Sequence, residues 1–247
     1  MQILQRILGI SVVFLGIFIW LIASFDLVIY GDKTYAFYER QYEKYQVLDD
    51  LQMDMPDVMH VTSEMMEYLK GRREELSVIT TVDGVSRDFF DEQDRLHMKD
   101  VQDLFLQGLQ LQRYAFVIFL LCLTAFLYIS KRHLANENSL RNRENLKILC
   151  KSYWIGLGVF LSSLGALVYL FASDFTKYFI VFHEIFFDND LWIFDATINL
   201  MIRMLPEGFF YDISARIVFV FASGLVVLLF VSVLLYNKKL RHFNKRN

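Results

Sequence analysis

The sequence predicts an all-α, polytopic integral membrane protein with four transmembrane helices, and three observations carry that prediction. Of 247 residues, 55% are hydrophobic and 16% aromatic, yet 21% are charged, a mixture that requires apolar blocks alternating with polar ones. Four stretches, residues 7–25, 114–130, 152–173 and 217–236, carry no charge. Each has about the 17–25 residues that a hydrocarbon core demands. Basic residues then gather on one side of these stretches, which fixes an orientation.

Taken in order, Arg6 precedes the first apolar run. That run exceeds the roughly 7–15 residues of a secretory h-region and no A-x-A site follows, so a retained anchor is expected. The helix spans are placed at about 7–30, 112–131, 150–173 and 214–237, all in a single membrane domain. Lys33 to Leu48, rich in Tyr, Glu, Gln and Lys, reads as a helix directly continuing the first span. Asp54 is expected to cap a second external helix with Pro56 in its first turn, and Gly71 to end it as a C′ glycine. Residues 76–82 are extended and meet Asp83-Gly84, the signature of a small hairpin or strand. Ser86 is then expected to open a long helix through Phe89, Phe90, Leu96, Val101, Leu104 and Phe105 into the second span.

The turn after it carries Lys131, Arg132, Arg141, Arg143, Lys147 and Lys151, and the tail carries Lys238, Lys239, Arg241, Lys245 and Arg246. By the positive-inside rule, 1–6, 132–149 and 238–247 are cytoplasmic, and 31–111 and 174–213 are extracellular. Residues 178–194, YFIVFHEIFFDNDLWIF, are too interrupted to cross and too apolar for water. They suit a re-entrant or interfacial segment, with an amphipathic helix on the outer leaflet as the plainer alternative. Pro206 and Gly208 break the chain before the last span.

Composition also excludes. The net charge of −3 argues against a nucleic-acid partner. Cys122 and Cys150 both lie in apolar runs, so neither a structural disulfide nor a Cys-x-x-Cys site is expected. No Gly-x-Ser-x-Gly elbow, His-Glu-x-x-His pair, Walker loop or dinucleotide fingerprint is present, so no protein nucleophile, metal or cofactor is evident. Any nucleophile must then come from the substrate or from water.

Five histidines remain. His133 and His242 sit among basic cytoplasmic residues, and His60 has no evident partner. His97 lies on the helix that feeds the second span. At 100° per residue, Gln93 and Val101 lie about 40° from it, and Asp94 and Asp100 about 60°. A carboxylate on that face can orient the imidazole. His183 interrupts the aromatic segment, where an ionisable group is costly and a functional role is the first hypothesis. From spacing alone, each histidine could equally be structural.

These residues carry a resemblance. Phe89-Phe90-Asp91-Glu92 followed by His97-Met98-Lys99-Asp100-Val101 is similar to a signature of one four-span bacterial membrane family. So are Phe182-His183-Glu184-Ile185-Phe186-Phe187 with Asn189-Asp190, Trp192 and Phe194-Asp195; Arg203-Met204-Leu205-Pro206-Glu207; and Glu67-Tyr68-Leu69-Lys70-Gly71. The family is the lipoprotein intramolecular transacylase of low-GC Gram-positive bacteria. The resemblance implies an acyltransferase acting on diacylglyceryl-modified lipoproteins. It would move the sn-2 acyl chain of the S-diacylglyceryl group to the α-amino group of the N-terminal cysteine, giving the lyso form.

The same resemblance makes His97 and His183 the catalytic pair and needs no cofactor. His97 is taken as base and His183 as acid or oxyanion donor, with the reverse left open. Glu92 and Asp100 are the orienting carboxylates, Arg203 a group that holds a carbonyl or phosphate, and Asn189 and Trp192 further substrate-binding candidates. The chain would act as a monomer in the bacterial cell membrane, among membrane lipid, with both termini cytoplasmic and the active site at the outer leaflet. Two alternatives stand beside it. One is a metal-dependent intramembrane hydrolase using His97, His183, Asp100 and Glu184; the other is a non-enzymatic membrane sensor or binding protein.

Overall fold

The computed structural model describes residues 2–132 and 138–244. The basic turn at 132–149 and the basic tail at 238–247, both expected on the cytoplasmic side, fall partly outside these residues, as does His133. In chain order the elements are α1 (Gln2–Tyr30), α2 (Ala36–Lys44), α3 (Val47–Leu51), α4 (Met55–Leu69), β1 (Ile79–Val82) and β2 (Val85–Asp88), followed by α5 (Glu92–Arg132), α6 (Asn138–Ser173), α7 (Phe175–Phe186), α8 (Leu200–Met204) and α9 (Glu207–Asn244). Four helices are long and apolar enough to cross a membrane: α1, α5, α6 and α9. The all-α, four-span class predicted from sequence is the one found.

The chain forms two compact units. The first comprises Met1–Ser24, Leu111–Val168 and Val218–Asn247, the apolar lengths of the four long helices. Its core is Ile17, Leu157, Phe221 and Leu225, with Val13, Trp20 and Tyr153 packed around them. Apolar packing alone specifies little inside lipid, where tails are as apolar as leucine. Polar contacts supply the register. The Trp20 indole N–H donates to the Phe221 carbonyl at 3.0 Å, Trp154 to the Ser232 hydroxyl at 3.0 Å, and Gln112 to the Ile19 carbonyl at 3.1 Å. Gly224 lets the Trp20 indole lie against the α9 backbone, because a Cβ there would overlap the ring.

The second unit comprises Phe25–Gln110 and Tyr169–Ile217. The helix expected to continue α1 through Lys33 to Leu48 is broken instead. α1 stops at Tyr30, and the Asp32 carboxylate accepts the Thr34 N–H and hydroxyl and the Ala36 N–H at 2.6–3.0 Å. That local bonding competes with the helical ladder and turns the chain into α2. α4 begins where expected, with Pro56 in its first turn, although Asp54 occupies the N-cap position without a side-chain bond. Gly71 does close α4. It adopts φ 70°, its N–H reaches the Tyr68 carbonyl at 2.8 Å and the Arg72 N–H reaches that of Glu67 at 3.0 Å. These two bonds make a Schellman cap.

Inside this unit Tyr42, Val58, Val61, Met65 and Met66 are buried. Each such side chain contributes about 1.5–3 kcal/mol by leaving water. Thr62 Oγ1 donates to the Val58 carbonyl at 2.9 Å, so the Tyr42 hydroxyl is the donor in the 2.6 Å contact between them.

The hairpin is present, and it overturns one expectation. Ser86 does not open a helix; it pairs with Thr81 in β2. Asp83 and Gly84 both take positive φ, 50° and 70°. A two-residue turn of that hand returns the chain as an antiparallel strand, which delays the helix to Glu92. There Asp91 and Asp94 bond reciprocally. Asp91 Oδ1 accepts the Asp94 N–H at 2.8 Å, and Asp94 Oδ2 accepts the Asp91 N–H at 3.0 Å. This is a capping box, which satisfies two otherwise orphaned donors of α5.

Candidate functional site

α7 and the first turns of α5, both in the second unit, supply the two histidines that sequence singled out. α7 starts at Asp174, whose carboxylate accepts the Lys177 N–H at 3.1 Å. Phe179, His183 and Phe187 then recur every four residues along one side of the segment. His183 is 7% exposed, while Phe182, Ile185 and Phe186 are exposed. His97 is 6% exposed on α5. The two imidazole centroids lie 6.0 Å apart, with ring planes 32° from parallel.

Aromatic rings enclose the pair. The Trp192 indole stacks on His183 at 4.9 Å and 28°, and Phe179 meets it edge-on at 4.4 Å. Phe187 touches both imidazoles, 5.3 Å from His97 and 5.6 Å from His183. Phe194 closes the other flank of His97 at 5.3 Å.

The loop that carries Trp192 and Phe194 is strapped to α5 by three polar side chains. Gln93 donates to the carbonyls of Leu191 and Ile193 at 3.0 and 2.9 Å. Asn189 donates to Asp100 Oδ2 at 2.9 Å, and Asn199 donates to Asp91 Oδ2 at 2.7 Å. Asn199 in turn accepts the Asp195 N–H at 2.9 Å. The histidine pair is therefore held by bonds that span about a hundred residues of sequence.

Hydrogen bonding differs between the two rings. His183 Nδ1 lies 2.7 Å from the Phe179 carbonyl oxygen. A carbonyl only accepts, so Nδ1 carries the proton of the neutral ring and Nε2 carries the lone pair. His97 Nδ1 is buried with no hydrogen-bond partner.

The charge-free part of α5 begins at 114; the turns around His97 precede it and carry Glu92, Asp94, Arg95, Lys99 and Asp100. Burial pushes the His97 imidazole down to about 4, the neighbouring His183 adds to the effect and Asp100 opposes it. Burial also lowers His183, against the bond to Phe179, which favours the charged ring. Both histidines are neutral at pH 7 on these directions.

The remaining sequence candidates divide. Asn189, Asp100 and Trp192 stand around the histidines, the first two joined to each other and the third against His183. Glu92 is exposed. Arg203, on α8, is engaged elsewhere: its Nε donates to Asp50 Oδ2 at 2.9 Å and its Nη2 to the Asp50 carbonyl, tying α8 to α3. Glu184 is exposed, and among the described residues no three His, Cys, Asp or Glu side chains gather as a metal site would need. Sequence reading placed Gln93 and Asp94 beside His97 on the helix but not their bonds, and missed the roles of Asp91 and Asn199. The Asp-x-x-Asp spacing of a capping box could have found the Asp91–Asp94 pairing; nothing local marks the bonds of Gln93 and Asn199.

A family model described as lipoprotein intramolecular transacylase Lit matches residues 10–210. Among solved structures, the chain is similar to the membrane integral lipoprotein intramolecular transacylase Lit from Bacillus cereus. Identity is 19% and the TM-score 0.68, covering 99% of this chain and 100% of that one. Two further structures of that protein, with one histidine replaced by alanine or arginine, match at 18% identity with TM-scores of 0.67 and 0.64. They cover 98% of this chain and 96% and 95% of theirs. At such identities the likeness is one of fold. No curated protein matches the chain.

Proposed function

This chain belongs to the lipoprotein intramolecular transacylase family and is an acyltransferase of that kind, and from that membership we propose how its two histidines divide the reaction. The substrate is a lipoprotein whose N-terminal cysteine carries an S-diacylglyceryl group. The cysteine α-amine attacks the carbonyl carbon of the sn-2 ester. His183 Nε2 takes a proton from that amine, and His97 Nε2–H donates to the oxyanion of the tetrahedral intermediate. The C–O bond to the sn-2 oxygen then breaks, and His183 returns the proton to that oxygen. The products are an N-acyl amide and a free sn-2 hydroxyl on the same molecule. No atom is gained or lost.

The observation that carries this division is the 2.7 Å contact of His183 Nδ1 with the Phe179 carbonyl. It leaves a lone pair on Nε2, which is what a general base needs. His183 rather than His97 is therefore assigned as base, the reverse of the assignment preferred from sequence. His97, held low by burial, stays a neutral donor, and a neutral N–H can stabilise an oxyanion without surrendering its proton.

The nucleophile is the substrate's own amine, which accounts for the missing serine elbow. At pH 7, roughly a fifth or less of an α-amine with pKa 7.7–8.0 is neutral, so base assistance has value. Amine and ester belong to one molecule, which supplies a large intramolecular advantage. The positive-inside rule supports a topology with cytoplasmic termini and the histidine pair at the outer leaflet of a cell membrane.

The test uses a synthetic diacylglyceryl lipopeptide with purified wild type, His97→Gln and His183→Gln. Loss of the free amine is followed by amine labelling, since substrate and product are isomers of equal mass. Each variant is expected to lose about 10²-fold or more. Retention of a tenth of wild-type activity or more by either variant overturns the division of roles.

A further inference from the structure

Two buried polar atoms one helical turn apart on α5 have complementary chemistry and no partner. Asp94 is fully buried. Its Oδ2 accepts the Asp91 N–H at 3.0 Å, which completes the capping box. Its Oδ1 has no hydrogen-bond partner, and neither has His97 Nδ1. Gln41 Oε1 and Thr80 Oγ1 share that condition among the described residues, but each stands on an element of its own. Only on α5 do two such atoms coincide.

An unpartnered buried polar atom is costly, and its presence needs a reason. Side chains three apart on a helix are neighbours, with Cβ atoms about 5–6 Å apart. Helical side chains also lean toward the N-terminus, which inclines the His97 ring toward the turn of Asp94. Capping explains one oxygen of this carboxyl and leaves the other, buried without a partner, unexplained.

We propose that Asp94, which makes no direct bond to His97 in this structure, is its positioning residue: as a carboxylic acid it donates through one bridging water to Nδ1, and so holds the proton of the neutral imidazole on Nε2.

The acid form follows from what surrounds it. A carboxylate here would bury a charge with one oxygen bare, whereas a carboxylic acid needs a single acceptor for its O–H. His97 Nδ1 is a buried acceptor on the adjacent turn that lacks a donor. Oδ2 remains the carbonyl oxygen that receives Asp91, and Oδ1 bears the hydroxyl. Burial pushes the Asp94 carboxyl up to about 7, the Asp91 N–H opposes this, the Asp91 carboxylate adds to it and Arg95 opposes. Asp100, which spacing placed as near His97 as Asp94 and which was expected to orient it, is already engaged by Asn189.

The proposal rests on His97 as oxyanion donor, because that role requires the proton on Nε2. It is tested on the full chain in detergent with ¹⁵N-labelled histidine, the His97 signals being those lost in His97→Gln. Wild type is expected to show the neutral Nε2–H tautomer. Asp94→Asn is expected to keep that tautomer and to transacylate within about threefold of wild type, since its amide N–H donates where the acid did and its oxygen still accepts Asp91. Asp94→Ala is expected to shift His97 toward the Nδ1–H tautomer and to lower kcat about 10- to 100-fold with KM little changed.

An Nδ1–H tautomer in wild type overturns the proposal. So does an unaltered tautomer in Asp94→Ala, which leaves Asp94 a helix cap alone. Loss of the tautomer in Asp94→Asn also overturns it, because an amide donor at that position should hold the ring as the acid does. If the alanine variant does not fold, wild type and Asp94→Asn decide between them. Failure of the underlying reading is separate: it appears as activity retained by His97→Gln, whatever the tautomer.

Discussion

Trp192→Ala should move the acid limb of the reaction to higher pH, and the size of the movement follows from the site. The indole covers one face of His183 at 4.9 Å, and burial is the first cause of that imidazole's lowered pKa. Removing the ring forfeits about 0.5–1.5 kcal/mol of aromatic contact and admits water to the exposed face. The bond to Phe179, which favours the charged ring, remains. The imidazole should then return to about its ordinary value of 6.5. At pH 6 such a base is about one-quarter neutral, and the wild-type ring, held lower by burial, keeps a larger neutral fraction.

The substrate amine titrates identically in both proteins, so the ratio of wild-type to variant kcat/KM removes its contribution. That ratio should be flat above about pH 8 and should rise toward pH 6, by at most about fourfold. The assay is amine labelling of the lipopeptide across that range. A ratio independent of pH, or one that falls as the medium is acidified, refutes the argument that the indole keeps His183 dry and basic.

Two other outcomes are expected. Gln93→Ala removes both bonds to the carbonyls flanking Trp192, a net loss of about 1–3 kcal/mol at most because those carbonyls can be rehydrated. Amide exchange in residues 189–199 should quicken and kcat/KM fall about tenfold, while global thermal stability barely moves. The second outcome concerns acid stability. The His97 pKa is about 4 folded against 6.5 unfolded, so between those values the unfolded chain binds the extra proton. Stability should therefore fall as pH drops through that window, by at most about 3 kcal/mol, and His97→Phe should lose correspondingly less when unfolding is followed in detergent.

The parts of this protein that were legible in sequence are those whose causes are local. A run without charge names a span, because the bilayer imposes one length on every helix that crosses it. Gly71 was readable because only a residue at ease with positive φ closes a helix that way, and Asp83-Gly84 because two successive positive-φ residues reverse a strand. Ser86 misled because the helical pattern of Phe89 and Phe90 extends backward across the hairpin, while the signal that starts the helix, Asp91-x-x-Asp94, lies inside that pattern. The break at Asp32 was missed because an aspartate that bonds its own following backbone is compositionally indistinguishable from one on a helix surface.

The site was legible as two histidines and illegible as a geometry. What fixes their separation is Gln93, Asn189 and Asn199, each of which acts across about a hundred residues and has no pattern around it. Arg203 shows the opposite failure. It was a plausible anion-binding group by type and position, and its guanidinium is taken by Asp50.

The aromatic enclosure ties these elements to the chemistry. The proposed acyl transfer, lacking a protein nucleophile, must favour an amine over water as acceptor while keeping two imidazoles unprotonated. Phe187 and Phe194 pack around His97, and Phe179, Phe187 and Trp192 around His183, so the same rings that exclude competing water also disfavour the charged imidazoles. The low local polarity that suppresses protonation strengthens each hydrogen bond formed to the oxyanion. It also makes every buried polar atom that lacks a partner expensive. That is why the second oxygen of Asp94 and the unpartnered nitrogen of His97 belong to one explanation: among these rings, a carboxyl one turn from an imidazole is tolerated when it stays uncharged and its proton is relayed toward that ring.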